Sequence, residues 1–163
     1  MWPTAVGMSG PVLIAYDASP ASELALRESA ELLSGMPAVV LVVWKPGLAL
    51  EAIALPASSI GLPPAPLDIR ATLEVEERLY EAARSAAEHG AQLAKELGLE
   101  AESLVVADEP DIPIQETIVA VAREREARAV SVGSHAHGPI IGSIARGVIR
   151  DAPCPVVVVR ERA

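Results

Sequence analysis

The chain has 163 residues, 51% of them hydrophobic, with a formal net charge of −9. That length and apolar content suit one domain with a substantial core and exclude wholesale disorder. The acidic balance, the absence of a basic run and the scarcity of aromatics (no Phe, two Trp, two Tyr) argue against nucleic-acid binding, and no apolar run is long enough to span a bilayer.

Residues 1–9 carry neither the basic start nor the long apolar stretch of a secretion signal. They are expected to form a poorly ordered tail, with Met8 an alternative start. Val12 to Tyr16 is a short apolar run without polar alternation, as in a strand buried on both faces. Asp17-Ala18-Ser19-Pro20 follows, with Ser19 suited to cap a helix and Pro20 to occupy its first turn. That helix is predicted to run to about Leu33 and stop near Ser34-Gly35. Val39 to Trp44 reads as the second strand, ended by Lys45-Pro46-Gly47.

Residues 47–67 break the pattern with Pro56, Pro63, Pro64 and Pro66 among Leu, Ala and Ser. This excursion, with room for one short helical turn, is either a lid or an ordinary surface loop. Asp68 to Leu97 is the longest predicted helix. Leu79, Ala82, Ala83, Ala86, Ala87, Leu93, Ala94 and Leu97 supply its buried stripe, and the dense mixed charges read as a solvated face. Gly98 closes it.

Ser103 to Ala107 reads as strand three. The turn Asp108-Glu109-Pro110-Asp111 follows, and Pro113 starts a helix ending near Glu126. Ala129 to Gly133 is strand four, Ile144 to Arg150 the last helix and Val156 to Val159 strand five. Five buried strands alternating with four helices imply a parallel sheet covered on both faces, with residues 10–160 forming one domain. In such sheets a ligand sits beyond the carboxyl ends of the strands where their order reverses. Strands one and four are the expected neighbours there, which brings Asp17 and Gly133 to one crevice.

The segment after strand four, Gly133-Ser134-His135-Ala136-His137-Gly138-Pro139-Ile140-Ile141-Gly142-Ser143, reads as strand end, loop and helix start. Glycines permit close backbone approach, and a helix N-terminus attracts phosphate. Pro139 and Ile140 stand where a phosphate-loop lysine and hydroxyl are required, so this is no Walker A loop. His135 and His137 lie two apart. A solvated loop, a phosphate contact and a metal ligand all suit them, but no third ligand completes a zinc site by sequence. Ser143 reads as a cap or phosphate contact rather than a nucleophile. Asp17 is equally a turn former before a helix. Cys154, the single cysteine, reads as a small packed residue; it excludes an internal disulfide framework and fits a reducing, cytoplasmic compartment.

Together these segments resemble the universal stress protein family across roughly residues 10–160. Val12-Leu13-Ile14-Ala15-Tyr16-Asp17-Ala18-Ser19 is similar to its first strand and Asp-Gly-Ser turn, with Ala18 in place of the glycine. Val39 to Pro46 resembles its second strand, with Lys45 replacing an acid. Arg128 stands where an Asp often precedes strand four. The most specific match runs from Gly142-Ser143 through Ala152-Pro153-Cys154-Pro155 into the valine strand.

The resemblance implies a Rossmann-like α/β three-layer sandwich whose five-stranded parallel sheet has order 3-2-1-4-5. It also implies binding of ATP or AMP, with magnesium arriving only with the nucleotide. The family motif is Gly, two residues, Gly, nine residues, Gly, then Ser or Thr. Here the order is Gly133, two residues, Ala136, five residues, Gly142, Ser143, so a glycine is lost and the loop is four residues shorter. Four residues span up to about 13 Å when extended, a large part of a triphosphate cradle. Ala136 disfavours positive φ, and Gly138 restores some freedom two residues later.

By resemblance, Asp17 contacts the nucleoside, the Val43 backbone meets the adenine edge, Ala15 and Tyr16 line the floor, and Gly133 lies beneath the ribose. The N–H groups of Gly142, Ser143 and Ile144 meet a phosphate. Family members dimerise through strand five, and an exposed Val156-Val157-Val158-Val159 edge invites that pairing; a covering N-terminal tail is the alternative. Three functional readings follow, in order. The first is a stress-response protein binding an adenine nucleotide as a regulatory ligand. The second is a dimeric interaction module that has lost ATP binding through its shortened loop. The third is a slow nucleotide hydrolase, which no activated base, metal cluster or lysine clamp supports.

Overall fold

A computed structural model of the chain describes residues 9–47, 69–135 and 141–161. The tail before Ser9, the excursion beyond Gly47, and Ala136, His137 and Gly138 lie outside the described residues. The elements run β1 (Val12–Ala15), α1 (Pro20–Leu32), β2 (Pro37–Trp44), α2 (Ile69–Glu96), β3 (Glu100–Ala107), α3 (Ile114–Glu124), β4 (Ala129–Ser134), α4 (Ser143–Asp151) and β5 (Val156–Arg160). The strands form one sheet of order β3-β2-β1-β4-β5, parallel throughout. A parallel sheet covered on both faces is what the alternation of apolar runs and amphipathic segments predicts, and the strand order is the one the family resemblance implies.

Among the described residues two helices cover each face, and strand alternation assigns the side chains. Val12, Ile14 and Tyr16 of the first strand and its exit join Val40 and Val42 of β2 under α1 and α2. Leu13, Val39, Leu41, Val130 and Val132 face α3 and α4, where Ile118, Val121, Ala122, Ala145 and Val148 meet them. Both clusters are nearly free of polar atoms, and burying each such aliphatic side chain is worth about 1.5–3 kcal/mol.

The exceptions are informative. On β4, Ser131 is fully buried and its Oγ accepts a hydrogen bond from Ser29 Oγ of α1 at 2.6 Å. Two residues on, a Cβ at Gly133 would stand 2.6 Å from the Ala21 carbonyl oxygen of α1. The first turn of α1 therefore lies directly on the end of β4, and only glycine leaves room for it.

Two expectations need correction. β3 starts at Glu100 rather than Ser103, pairing with β2 from Pro37↔Glu100 to Trp44↔Ala107. An edge strand alternates, so Glu100 and Glu102 are exposed while Ala101 is buried, and a search for a continuous apolar run misses that part. In α2 the buried face is narrower than the sequence stripe. Ala87, Gly90, Ala91 and Ala94 are buried, whereas Ala82 is exposed and Leu79 half-buried. A helix of 28 residues is about 42 Å long, more than an eight-residue strand can cover. Its closest sheet contact is in the C-terminal half, where small residues permit close approach, while Tyr80 in the N-terminal half meets the Trp44 ring at the end of β2 with centroids 5.3 Å apart. A Cβ at Gly90 would stand 2.9 Å from Val40 Cγ1 and 3.0 Å from the Tyr16 ring.

Candidate functional site

At the carboxyl ends of β1 and β4, where strand order reverses, a crevice of about 260 Å³ opens on the α3/α4 face. Ala15, Leu41, Val43 and Val132 contribute from the sheet and Ile114 and Ile118 from α3. Gly142, Ser143, Ile144 and Ala145 close it from the start of α4, with Asp17, Ser22 and His135 also lining it. Ala15, Asp17, Val43, Gly133, Gly142, Ser143 and Ile144 thus share one cavity. Tyr16 borders it too, but its ring belongs to the opposite layer, packed under α2 and only 4% exposed. Burial pushes its phenol above the ordinary value, helped by the nearby Glu23 and Asp17 carboxylates.

The β1–α1 turn is built by side-chain to backbone bonds. Asp17 Oδ1 accepts the Ser19 N–H at 3.0 Å, and Ser19 Oγ caps α1 by accepting the Ser22 N–H at 3.2 Å. Ser22 Oγ in turn accepts the Asp17 N–H and donates to the Ser19 carbonyl. Desolvation alone would raise the Asp17 pKa. Hydrogen bonds from Ser19 and Ser22 and the field of His135 outweigh it and hold the carboxyl below its ordinary range. Across the mouth of the crevice, His135 Nε2 lies 3.7 Å from Asp17 Oδ2 and 3.4 Å from Ser19 Oγ.

The phosphate-like end is the start of α4. Gly142 is the N-cap and its carbonyl takes the first intrahelical bond, from the Arg146 N–H. The N–H groups of Ser143, Ile144 and Ala145 therefore have no acceptor within the helix. The Gly142 N–H donates to Ser134 Oγ at 3.1 Å, and Ser134 is 2% exposed. This bond ties the end of β4 to the start of α4 across the intervening loop. Sequence reading passed over Ser134 because a serine beside Gly133 looks like loop. It also read Leu41 and Val132 only as strand residues and singled out neither Ile114 nor Ile118, although their i, i+4 spacing placed them on one helix face.

Such a crevice offers an apolar floor, a carboxylate at one end and backbone donors at the other. A larger cleft of about 560 Å³ runs along α3, but Glu109, Glu116, Glu124 and Asp151 outnumber Arg123 there and would repel an anion. Among the described residues no three His, Cys, Asp or Glu side chains gather to hold a metal. Cys154 packs half-buried beside the α3/α4 cluster, and burial raises its thiol pKa, the opposite of an activated nucleophile.

The model of the universal stress protein family matches residues 8–160. Among solved structures, a universal stress protein from Archaeoglobus fulgidus is 23% identical with a TM-score of 0.66, covering 91% of this chain and 97% of its own. The universal stress protein from Archaeoglobus fulgidus in complex with dAMP is 23% identical with a TM-score of 0.60, covering 93% and 98%. A universal stress protein in complex with cAMP is 17% identical with a TM-score of 0.59, covering 93% and 98%. These likenesses establish the fold. No curated protein matches the chain.

Proposed function

The chain belongs to the universal stress protein family, and from that premise we propose that it binds an adenine nucleotide, AMP or ATP, as a regulatory ligand in the β1–β4 crevice. The supporting observation is the convergence there of Asp17, an apolar floor and the first turn of α4. The family relatives solved with dAMP and cAMP lend weight to the ligand class. In this reading Asp17 contacts the nucleoside, the Val43 backbone meets the adenine edge, and Ala15 with the Tyr16 backbone forms the floor beside Gly133. The N–H groups of Gly142, Ser143 and Ile144 take a phosphate. Ala136 and Gly138, outside the described residues, are counted with the phosphate contacts by the family resemblance, and magnesium enters only with the nucleotide. The protein acts as a cytoplasmic stress-response protein, with residues 10–160 as its one functional domain and β5 as the seam of a homodimer.

Turnover has little support in the crevice. His135 Nε2 faces both Ser19 and Asp17, so the same nitrogen would serve nucleophile and orienting acid, which is not a relay. The second reading, a dimeric module without nucleotide, draws on the short loop between Gly133 and Gly142.

Calorimetric titration with ATP, ADP and AMP separates the readings. The expected result is saturable binding, weakened about tenfold or more by Asp17→Ala, as loss of a charged hydrogen-bond partner implies. No binding at millimolar nucleotide would favour the module. Steady release of product from ATP would favour the hydrolase.

A further inference from the structure

We propose that His135 makes the phosphate grip of this crevice proton-linked: its imidazolium, held against Asp17, cancels the negative charge that a phosphate meets there, and the neutral ring leaves the crevice net negative. This rests on the nucleotide-binding reading above and adds to it a regulation of the same site.

Among the described lining residues there is no Lys and no Arg; Asp17 is the one carboxylate and His135 the one imidazole. Asp17 is held ionised well into acid by its bonds to Ser19 and Ser22, so its charge is constant across the range in which an imidazole titrates. Two charged side chains on the helices that border the crevice are engaged elsewhere. On α1, Glu23 is closed on Arg27 at 2.8 Å, and on α4 the Arg146 guanidinium reaches the Ile141 carbonyl at 3.2 Å. The single variable charge among these residues is therefore the proton on His135.

Its position sets the sign. With Nε2 at 3.7 Å from Asp17 Oδ2, a proton there offsets the one carboxylate among the described lining residues, in the same cavity that the α4 N-terminus lines. Phosphate binding is then favoured at low pH, and by linkage the bound phosphate draws a proton onto the ring. Both side chains are more than half exposed, so solvent screens the effect to a few-fold.

Calorimetry of the full chain with AMP and with adenosine at pH 6 and pH 8, in two buffers of different ionisation enthalpy, tests this. AMP is expected to bind about three- to fivefold more tightly at pH 6, with net proton uptake, while adenosine, which has no phosphate, gains no affinity on acidification. His135→Gln removes the part of the uptake and pH dependence that belongs to the protein; what remains in the variant is the protonation of AMP itself. An AMP profile unchanged by His135→Gln, or adenosine binding that tightens at pH 6 as much as AMP, overturns the proposal. Failure of both ligands to bind at either pH overturns the nucleotide reading, and this one with it. A second readout is the His135 imidazole followed by NMR, which is expected to titrate at higher pH when AMP is added.

Discussion

Ala18 is held at φ 61°, a left-handed conformation that costs an L-residue about 1–2 kcal/mol. It lies in the turn that places Asp17, so the strain sits within the candidate site. Replacing Ala18 with Gly removes the clash and gives back part of that gain to the unfolded chain's entropy. A net stabilisation of about 1 kcal/mol is expected, read as a melting temperature higher by about 2–4 °C; an unchanged or lower value would show the turn to be relaxed with alanine. The sequence displays the substitution of the family's glycine at this position, but not its consequence. Asp-Ala-Ser-Pro is compatible with turns of either φ sign. Only the closure of Asp17 on the Ser19 N–H and of Ser22 on Asp17 forces the positive value. Gly133 is the converse case. A phosphate-loop reading attributes it to ligand approach, yet the Ala21 carbonyl behind it already demands glycine whether or not a nucleotide binds.

The contact of α1 with β4 shows how an element is fixed by its few polar atoms. Ser29 and Ser131 are both fully buried and share one hydrogen bond between otherwise aliphatic layers. Ser131→Ala or Ser29→Ala leaves one buried hydroxyl without its partner, at a cost of about 1–2 kcal/mol. The double variant is expected to be less destabilised than the sum of the singles by about 1 kcal/mol in urea unfolding, because it removes both groups at once. Strict additivity would mean that each hydroxyl finds another partner, for Ser29 a carbonyl one turn back.

The period and punctuation of the chain made the strands and helices legible. Val39 to Trp44 and Val156 to Val159 are too short and too apolar for amphipathic helices, and Ser19-Pro20 marks the start of α1. The Ser29–Ser131 pairing was not legible, since a lone serine in each element carries no sign of a partner 102 residues away. For the same reason the sheet side of the crevice was read only as buried strand: Leu41 and Val132 look identical in sequence whether their strands end beneath a helix or at an opening.

At the scale of the whole molecule, the sheet has two unequal edges. β3 exposes Glu100, Glu102 and Ser103 along eight residues, the polar dressing that discourages further pairing. β5 offers four consecutive valines, all half-buried, and among the described residues no strand pairs with its outer side. The ladder also shows which of its amides are free. The Val130 N–H donates to the Pro155 carbonyl, so in a parallel ladder Val157 turns its N–H toward β4 while Val156 and Val158 turn theirs outward. Proline at 158 therefore removes an outward donor and no bond of the sheet, whereas proline at 157 breaks the ladder. If the proposed homodimer forms by strand pairing along β5, Val158→Pro is expected to sediment as a monomer and still unfold cooperatively. Val158→Ala, which keeps the amide, is expected to remain dimeric despite its looser packing. A dimer that survives Val158→Pro would move the interface off this edge, and the apolar side chains of β5 would then need another covering.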